Sequence, residues 1–187
     1  TYEEALACVN AGADIFVHTY NGMSGLHHRE PGMVGAAMTT HGTYAEAICD
    51  GHHLNPIAAR ALVSAKGSDH TVLITDCMRA GGMPNGEYKL GDFPVIVEGG
   101  TARLMDESHS LAGSILRLFE GVKNVYDWGI VSAEDAVRMA SETPARSCGI
   151  DDVCGFIRPG YDADFIVITK DLQLEETFLG GKSVYKA

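Results

Sequence analysis

Three short apolar runs in this sequence each lead into residues able to do metal or proton chemistry. Ile15-Phe16-Val17 leads into His18, Ala47-Ile48-Cys49 into Asp50-Gly51-His52-His53, and Val72-Leu73-Ile74 into Thr75-Asp76. A neutral imidazole holds a divalent ion through one ring nitrogen, which makes His18 a candidate ligand; the competing role is a core ring satisfied by a backbone carbonyl. His53 is a candidate to ligate metal or to hydrogen-bond a substrate carbonyl; its competing role is purely structural. Were His52 and His53 to continue a strand, their rings would face opposite sides, so only one would reach a common mouth and the other would pack or be solvated. Asp76 follows a strongly apolar run, where a carboxylate is costly to bury unless paired or metal-bound. Beside an activated water it can take a proton and return it to a leaving amine; its alternative role is a helix N-cap.

Weaker signals surround these. The stretch 19–32 is long and rich in Gly, His and Pro, and such loops in a compact domain usually carry function. Within it Asn21 offers amide donors, and Arg29 offers a two-pronged guanidinium suited to phosphate or carboxylate. His27 and His28 beside Arg29 make a small basic cluster in an acidic chain. Leu111-Ala112-Gly113-Ser114 reads as a loop opening a helix, so its backbone N–H groups are candidates to face a ligand.

The elements needed to position these groups follow from the pattern. A helix is expected over 2–10, a buried strand over 14–18, a short helix over 35–38, a strand over 44–49, a helix from Pro56 to about Lys66 capped by Asn55, and a strand over 71–75. Continuous apolar strands alternating with helices are the signature of a parallel sheet. The intervals of 35 residues from His18 to His53 and 23 from His53 to Asp76 suit successive units of a (β/α)8 barrel, where chemistry gathers at the C-terminal ends of strands. Beyond Asp76 the pattern changes to hairpins over 87–104, helices over about 112–127 and 133–141, and strand-like runs over 164–169 and 177–184 with turns at Pro159-Gly160 and Gly180-Gly181. The expected class is α/β: barrel over 1–150 and strands of a small β layer over 151–187.

Composition limits the function. A chain of 187 residues with 45% hydrophobic and 21% charged content reads as ordinary globular protein. The net charge of −11 disfavours nucleic acid and anionic membrane surfaces as partners but leaves room for a small anionic substrate held by one or two cations. Five cysteines without CxxC spacing point to a reduced, cytoplasmic protein. No apolar run reaches the roughly 20 residues of a membrane span. The chain opens at Thr1 without Met, in what reads as the first turn of a helix, which predicts that it is part of a longer protein.

Four ordered motifs resemble a known family. His18-Thr19-Tyr20-Asn21-Gly22-Met23, Arg29-Glu30-Pro31-Gly32, Asp50-Gly51-His52-His53 and Ile74-Thr75-Asp76 resemble the H-x-[YF]-N-[AG]-M, R-E-P-G, D-G-x-H and T-D series of the N-acetylglucosamine-6-phosphate deacetylase family, within the amidohydrolase superfamily. Leu111-Ala112-Gly113-Ser114 with Glu120-Gly121-Val122 is similar to its L-x-G-S…E-G-V stretch. Gly155 to Asp164 is similar to the general amidohydrolase tail.

The resemblance implies a fold and a set of roles. The fold would be the C-terminal half of a metal-dependent-hydrolase barrel plus part of a small β-sandwich. His18 would be a metal ligand (zinc or iron), His53 the group hydrogen-bonding the acetamido carbonyl, and Asp76 the general base and then acid. Asn21, Gly22 and Arg29 would contact the sugar phosphate, Arg29 across a homodimer interface, and Leu111, Ala112 and Gly113 would line the substrate. The implied reaction removes acetate from N-acetylglucosamine 6-phosphate in amino-sugar catabolism; the alternatives are the galactosamine epimer, a cyclic-amide hydrolase, or a non-catalytic sugar-phosphate-binding half-barrel. The family's other ligands, a glutamate and a further histidine, lie ahead of the His18 motif and have no counterpart here, so the isolated chain is expected to be inactive.

Overall fold

A computed structural model describes all 187 residues. Helix α1 (Tyr2–Asn10) starts from a capping box in which the Thr1 hydroxyl accepts the Glu4 N–H and the Glu4 side chain answers the Thr1 backbone. Thr1 is therefore the cap of this helix and not a residue inside its first turn.

Strands β1 (Ile15–Phe16), β2 (Tyr44–Ala47) and β3 (Thr71–Leu73) form one parallel sheet in the order β1-β2-β3. Ile15 pairs with Tyr44, and Ala45 with Thr71. Each strand ends before the last residue of its apolar run, β1 at Phe16, β2 at Ala47 and β3 at Leu73; Val17, expected within β1, is 52% exposed. Helix α2 (Gly32–Thr39) joins β1 to β2, and α3 (Pro56–Lys66) joins β2 to β3. Asn55 caps α3 by accepting the Ile57 N–H, with Pro56 at the first helical position, as the sequence indicated.

Three hairpin-linked strands follow: β4 (Gly86–Leu90), β5 (Phe93–Glu98) and β6 (Thr101–Leu104), an antiparallel sheet of its own. The helix expected from about 112 begins only at Leu118. Residues 111–114 instead lie alongside neighbouring strands, Leu111 bridging Arg103 in antiparallel sense and Ser114 bridging Cys77 in parallel sense. Helix α4 (Leu118–Asp127) then packs with α5 (Ala133–Ala140), whose N-cap is Ser132. A further helix, α6 (Glu142–Ser147), was not foreseen. Its Pro144 argues against a helix interior but is tolerated within the first turn, where the missing N–H has no partner to lose. The last sheet is antiparallel: β7 (Phe165–Ile168), β8 (Leu174–Leu179) and β9 (Lys182–Lys186). The run read as 177–184 is thus two strands turning at Gly180-Gly181. None of the three sheets closes into a barrel.

The main core lies between the parallel sheet and its helices. Ala45, Ala47 and Leu73 from the strands meet Leu62 of α3, Val125 of α4 and Met139 of α5, all nearly inaccessible. Full burial of side chains such as Leu62 and Met139 stabilises the fold by about 1.5–3 kcal/mol each. Small residues on β2, the central strand, let the helices approach closely.

Candidate active site

Because β1, β2 and β3 are parallel neighbours, they end at one edge. The segments bearing His18, His53 and Asp76 all leave from that edge. Ordinary strand spacing puts the outer two strand ends about 10 Å apart.

His18 sits in the turn after β1 with φ 33, and Tyr20 follows at φ 77; both are left-handed, which is costly for residues other than glycine. The turn is held in place by its neighbours. The His18 N–H donates to Glu46 Oε2 at 3.1 Å, and the Thr19 N–H to the Glu46 carbonyl at 2.9 Å. Buried Thr19 donates its hydroxyl to the Phe16 carbonyl at 3.2 Å, and Tyr20 its hydroxyl to the Ala58 carbonyl of α3 at 3.0 Å. Asn21 Nδ2 donates back to the His18 carbonyl at 3.2 Å. His18 Nδ1 is buried and lacks any hydrogen-bond partner, unlike every other buried side-chain nitrogen or oxygen in the chain. An orphaned buried polar atom costs about 1–3 kcal/mol, and a bound cation or donor would remove that cost.

Glu46 escaped the sequence reading. It alternates with Ala45 and Ala47, which face the helices, so its side chain takes the opposite face of the sheet. Its signal was a lone carboxylate inside an otherwise apolar strand.

His53 is set by Asp50. Asp50 Oδ2 stands 2.6 Å from His53 Nδ1, while Oδ1 accepts the N–H groups of His52 (2.8 Å) and His53 (2.7 Å). Burial pushes the Asp50 carboxyl up, but the bonds from the His53 ring and from the two backbone N–H groups outweigh it and hold the pKa below the usual aspartate value. The segment is a turn, not a strand, with Gly51 at φ 79. The two rings nevertheless part as expected: the His53 side chain is nearly covered and His52 is exposed. Burial, with Asp50 adding to it, pushes the adjacent Cys49 thiol up to about 12, so it stays protonated and unreactive.

Asp76 is exposed, in a left-handed conformation at φ 48. No helix follows it, so it is not an N-cap. Its carbonyl accepts the Ser114 N–H at 2.8 Å. That bond and the Ala112 N–H to Ala102 carbonyl bond (3.0 Å) tie 111–114 into strand-like pairing. The expectation of N–H groups presented at a helix N-terminus therefore fails for Ala112 and Ser114. Gly113, between them, has φ 62, and a Cβ there would stand 3.0 Å from the Asp76 carbonyl.

The loop after His18 carries the remaining candidates. Gly22 is exposed at φ 66. Arg29 is exposed, with Nη1 2.8 Å from His28 Nε2 and its N–H donated to His27 Nδ1 at 3.3 Å. Within the chain it reaches none of His18, His53 or Asp76. A cavity of about 560 Å³ opens on the Asp50 side of the dyad, lined by His52, Met83, Arg117, Glu120 and Asn124 among others.

A metal test on these residues gives a partial fit. His18 offers one buried, unpartnered nitrogen, yet no three His, Cys, Asp or Glu side chains converge to hold an ion. Catalytic zinc ordinarily needs three protein ligands. The chain offers one unpartnered nitrogen and does not form such a site alone.

Comparison with known proteins gives the family. Residues 35–184 match the amidohydrolase family. The chain is 45% identical over 186 residues to an N-acetylglucosamine-6-phosphate deacetylase of Vibrio furnissii, covering all of this chain and 46% of that protein. It is 42% identical to a putative N-acetylgalactosamine-6-phosphate deacetylase of Escherichia coli, with 89% of this chain covering 98% of that one. The crystal structure of the N-acetylglucosamine-6-phosphate deacetylase of Thermotoga maritima superposes with a TM-score of 0.92 at 33% identity, over all of this chain and 51% of that chain. The chain thus spans about half the length of most relatives it matches. By sequence and by fold, it belongs to the amidohydrolase family.

Proposed function

We propose that this chain is the C-terminal half of a metal-dependent deacetylase acting on N-acetylglucosamine 6-phosphate, with residues 1–150 completing a (β/α)8 barrel and 151–187 contributing to a small β-sandwich. The observation that carries the reading is the shared sheet edge: an unpartnered His18 nitrogen, a His53 oriented by Asp50, and the Asp76 carboxylate all leave from it.

In this reading His18 contributes one ligand to a zinc or iron site completed by residues outside the 187. A divalent ion so held lowers the pKa of water and polarises the amide carbonyl. Asp76 takes the proton of the attacking water and delivers it to the amine, which cannot leave as an anion. His53 donates to the carbonyl oxygen as negative charge develops there. Asn21, Gly22 and the 111–113 segment shape the sugar pocket, and Arg29 binds the phosphate of a substrate in the partner subunit of a homodimer.

The Escherichia coli relative, matched over 98% of its length, shows that a chain of about this length occurs by itself, and the second reading is a half-barrel that stands alone and binds sugar phosphates without catalysis. One experiment separates them. The full-length enzyme is given N-acetylglucosamine 6-phosphate and, separately, its galactosamine epimer, and acetate is measured. Release from the first at the higher kcat/KM is expected. Preference for the second reassigns the epimer, and release from neither overturns the deacetylase. Asp76→Asn should cut turnover by about 10²–10⁴-fold, the usual worth of a positioned acid or base, while elemental analysis shows metal retained.

A further inference from the structure

We propose that Ser114 is a positioning residue for Asp76: one buried residue whose hydroxyl and main chain together fix the backbone on both sides of the carboxylate which, on the reading above, moves the proton.

Asp76 leaves β3 at φ 48, a conformation that costs a residue with a Cβ about 1 kcal/mol or more and persists only where surroundings enforce it. Ser114, 2% exposed, enforces it through three bonds to residues 75–78, and a fourth, from Leu116, holds its own hydroxyl. Its N–H donates to the Asp76 carbonyl at 2.8 Å, and its carbonyl accepts the Met78 N–H at 2.9 Å. Its hydroxyl donates to the Thr75 carbonyl and accepts the Leu116 N–H at 3.1 Å. The peptides before and after Asp76 are thereby tied to one atom group 38 positions away in sequence. Gly113 at φ 62 lets the clamp close, since a Cβ there would stand 3.0 Å from the Asp76 carbonyl.

The hydroxyl does what the backbone alone does not. Replacing it with hydrogen keeps both main-chain bonds but strands the Thr75 carbonyl and the Leu116 N–H, and frees the Thr75–Asp76 peptide to rotate. That rotation swings the carboxyl group. A misplacement near 1 Å can cost about 100-fold in rate without weakening substrate binding. The side chain touches no reacting atom, so its effect must pass through Asp76.

The test uses the full-length enzyme and the phosphorylated N-acetylamino sugar it turns over. Ser114→Ala is expected to lower kcat about 10–100-fold with KM within twofold, and to lower it no further in the Asp76→Asn background. An equal loss in that background, or a loss in KM instead of kcat, overturns the proposal. Ser114→Thr keeps the hydroxyl and is expected to hold kcat within about threefold of wild type, on the same effective-orientation argument; should the alanine variant not fold, a folded threonine variant with kcat as low as Asp76→Asn overturns it. Amide hydrogen exchange gives a readout independent of turnover. Exchange at Thr75–Met78 should rise in Ser114→Ala while β1 and β2 stay protected, and unchanged exchange also overturns the clamp. A wild type that releases no acetate would sink the deacetylase reading and leave the clamp to be judged on exchange.

Discussion

Asp50 Oδ2 and His53 Nδ1 stand 2.6 Å apart, with their side chains 10% and 6% exposed. Asp50 is held in its ionised form, so the proton between them sits on Nδ1. His53 can then donate from Nε2 to a carbonyl only as the imidazolium, paired with a carboxylate at its back. A cation at that position stabilises a developing oxyanion more than a neutral donor does. Asp50→Asn removes the counter-charge behind the His53 ring. The expected result is a fall in kcat of about 10–100-fold, the usual cost of losing the group that orients an active-site histidine. Steady-state kinetics on the full-length enzyme checks it, and an unchanged kcat would detach Asp50 from the chemistry.

The same carboxylate makes stability depend on pH in one direction. Its folded pKa is lower than its unfolded one, so its contribution is complete above the ordinary aspartate value of about 3.9 and is lost as pH falls through the lower folded value. The difference in unfolding free energy between wild type and Asp50→Asn should shrink as pH falls below about 4, where the carboxylate is the member of the pair that titrates. Denaturant midpoints at several pH values measure this. A difference that grows as pH falls below about 4 would contradict the assignment.

The candidate site was legible where chemistry sits next to its own strand in sequence. His18, His53 and Asp76 each follow an apolar run by a few residues, and a parallel sheet then brings three such ends together without further information. What supports them was not legible, because it depends on bonds across long intervals. Glu46 meets His18 over 28 positions and Ser114 meets Thr75 over 39. The helix expected from 112 failed for the same reason. The apolar spacing of Ile115, Leu116 and Phe119 suits a helix, but pairing of residues 111–114 with Arg103 and Cys77 wins, and the helix waits until Leu118. A bond to a distant strand leaves no periodicity to read.

Glu46 supplies a prediction about metal binding. Its Oε2 accepts the His18 N–H at 3.1 Å and so holds the left-handed turn that aims the ring. Glu46→Ala leaves that amide unpaired and the turn free to relax toward a more ordinary backbone. Affinity of the full-length enzyme for zinc should fall by about 10–100-fold, as when other outer supports of ligating histidines are removed. Glu46→Gln retains an acceptor oxygen and should lose much less. Competition with a zinc chelator measures both. Equal affinity in wild type and the alanine variant would show that the turn holds its shape without Glu46.

Arg29 is exposed and bonded only within its own loop, to His28 and His27. In a chain of net charge −11 such a cluster is a local exception, and a guanidinium beside two imidazoles suits a phosphate better than a neutral hydroxyl. It bonds none of His18, His53 or Asp76 within the chain, and on the proposed reading it serves the neighbouring subunit's substrate. If so, Arg29→Ala should raise KM for the phosphorylated sugar about 10-fold or more, a charge-assisted bond being worth roughly 1.5–3 kcal/mol. For the unphosphorylated sugar KM should barely change. Mixing Arg29→Ala subunits with Asp76→Asn subunits sharpens the result. If Arg29 acts across the interface, a mixed dimer contains one site with wild-type Asp76 and a wild-type Arg29 from its partner, and activity returns to about half. If it acts within its own subunit, every site in the mixed dimer lacks one of the two groups, and nothing returns.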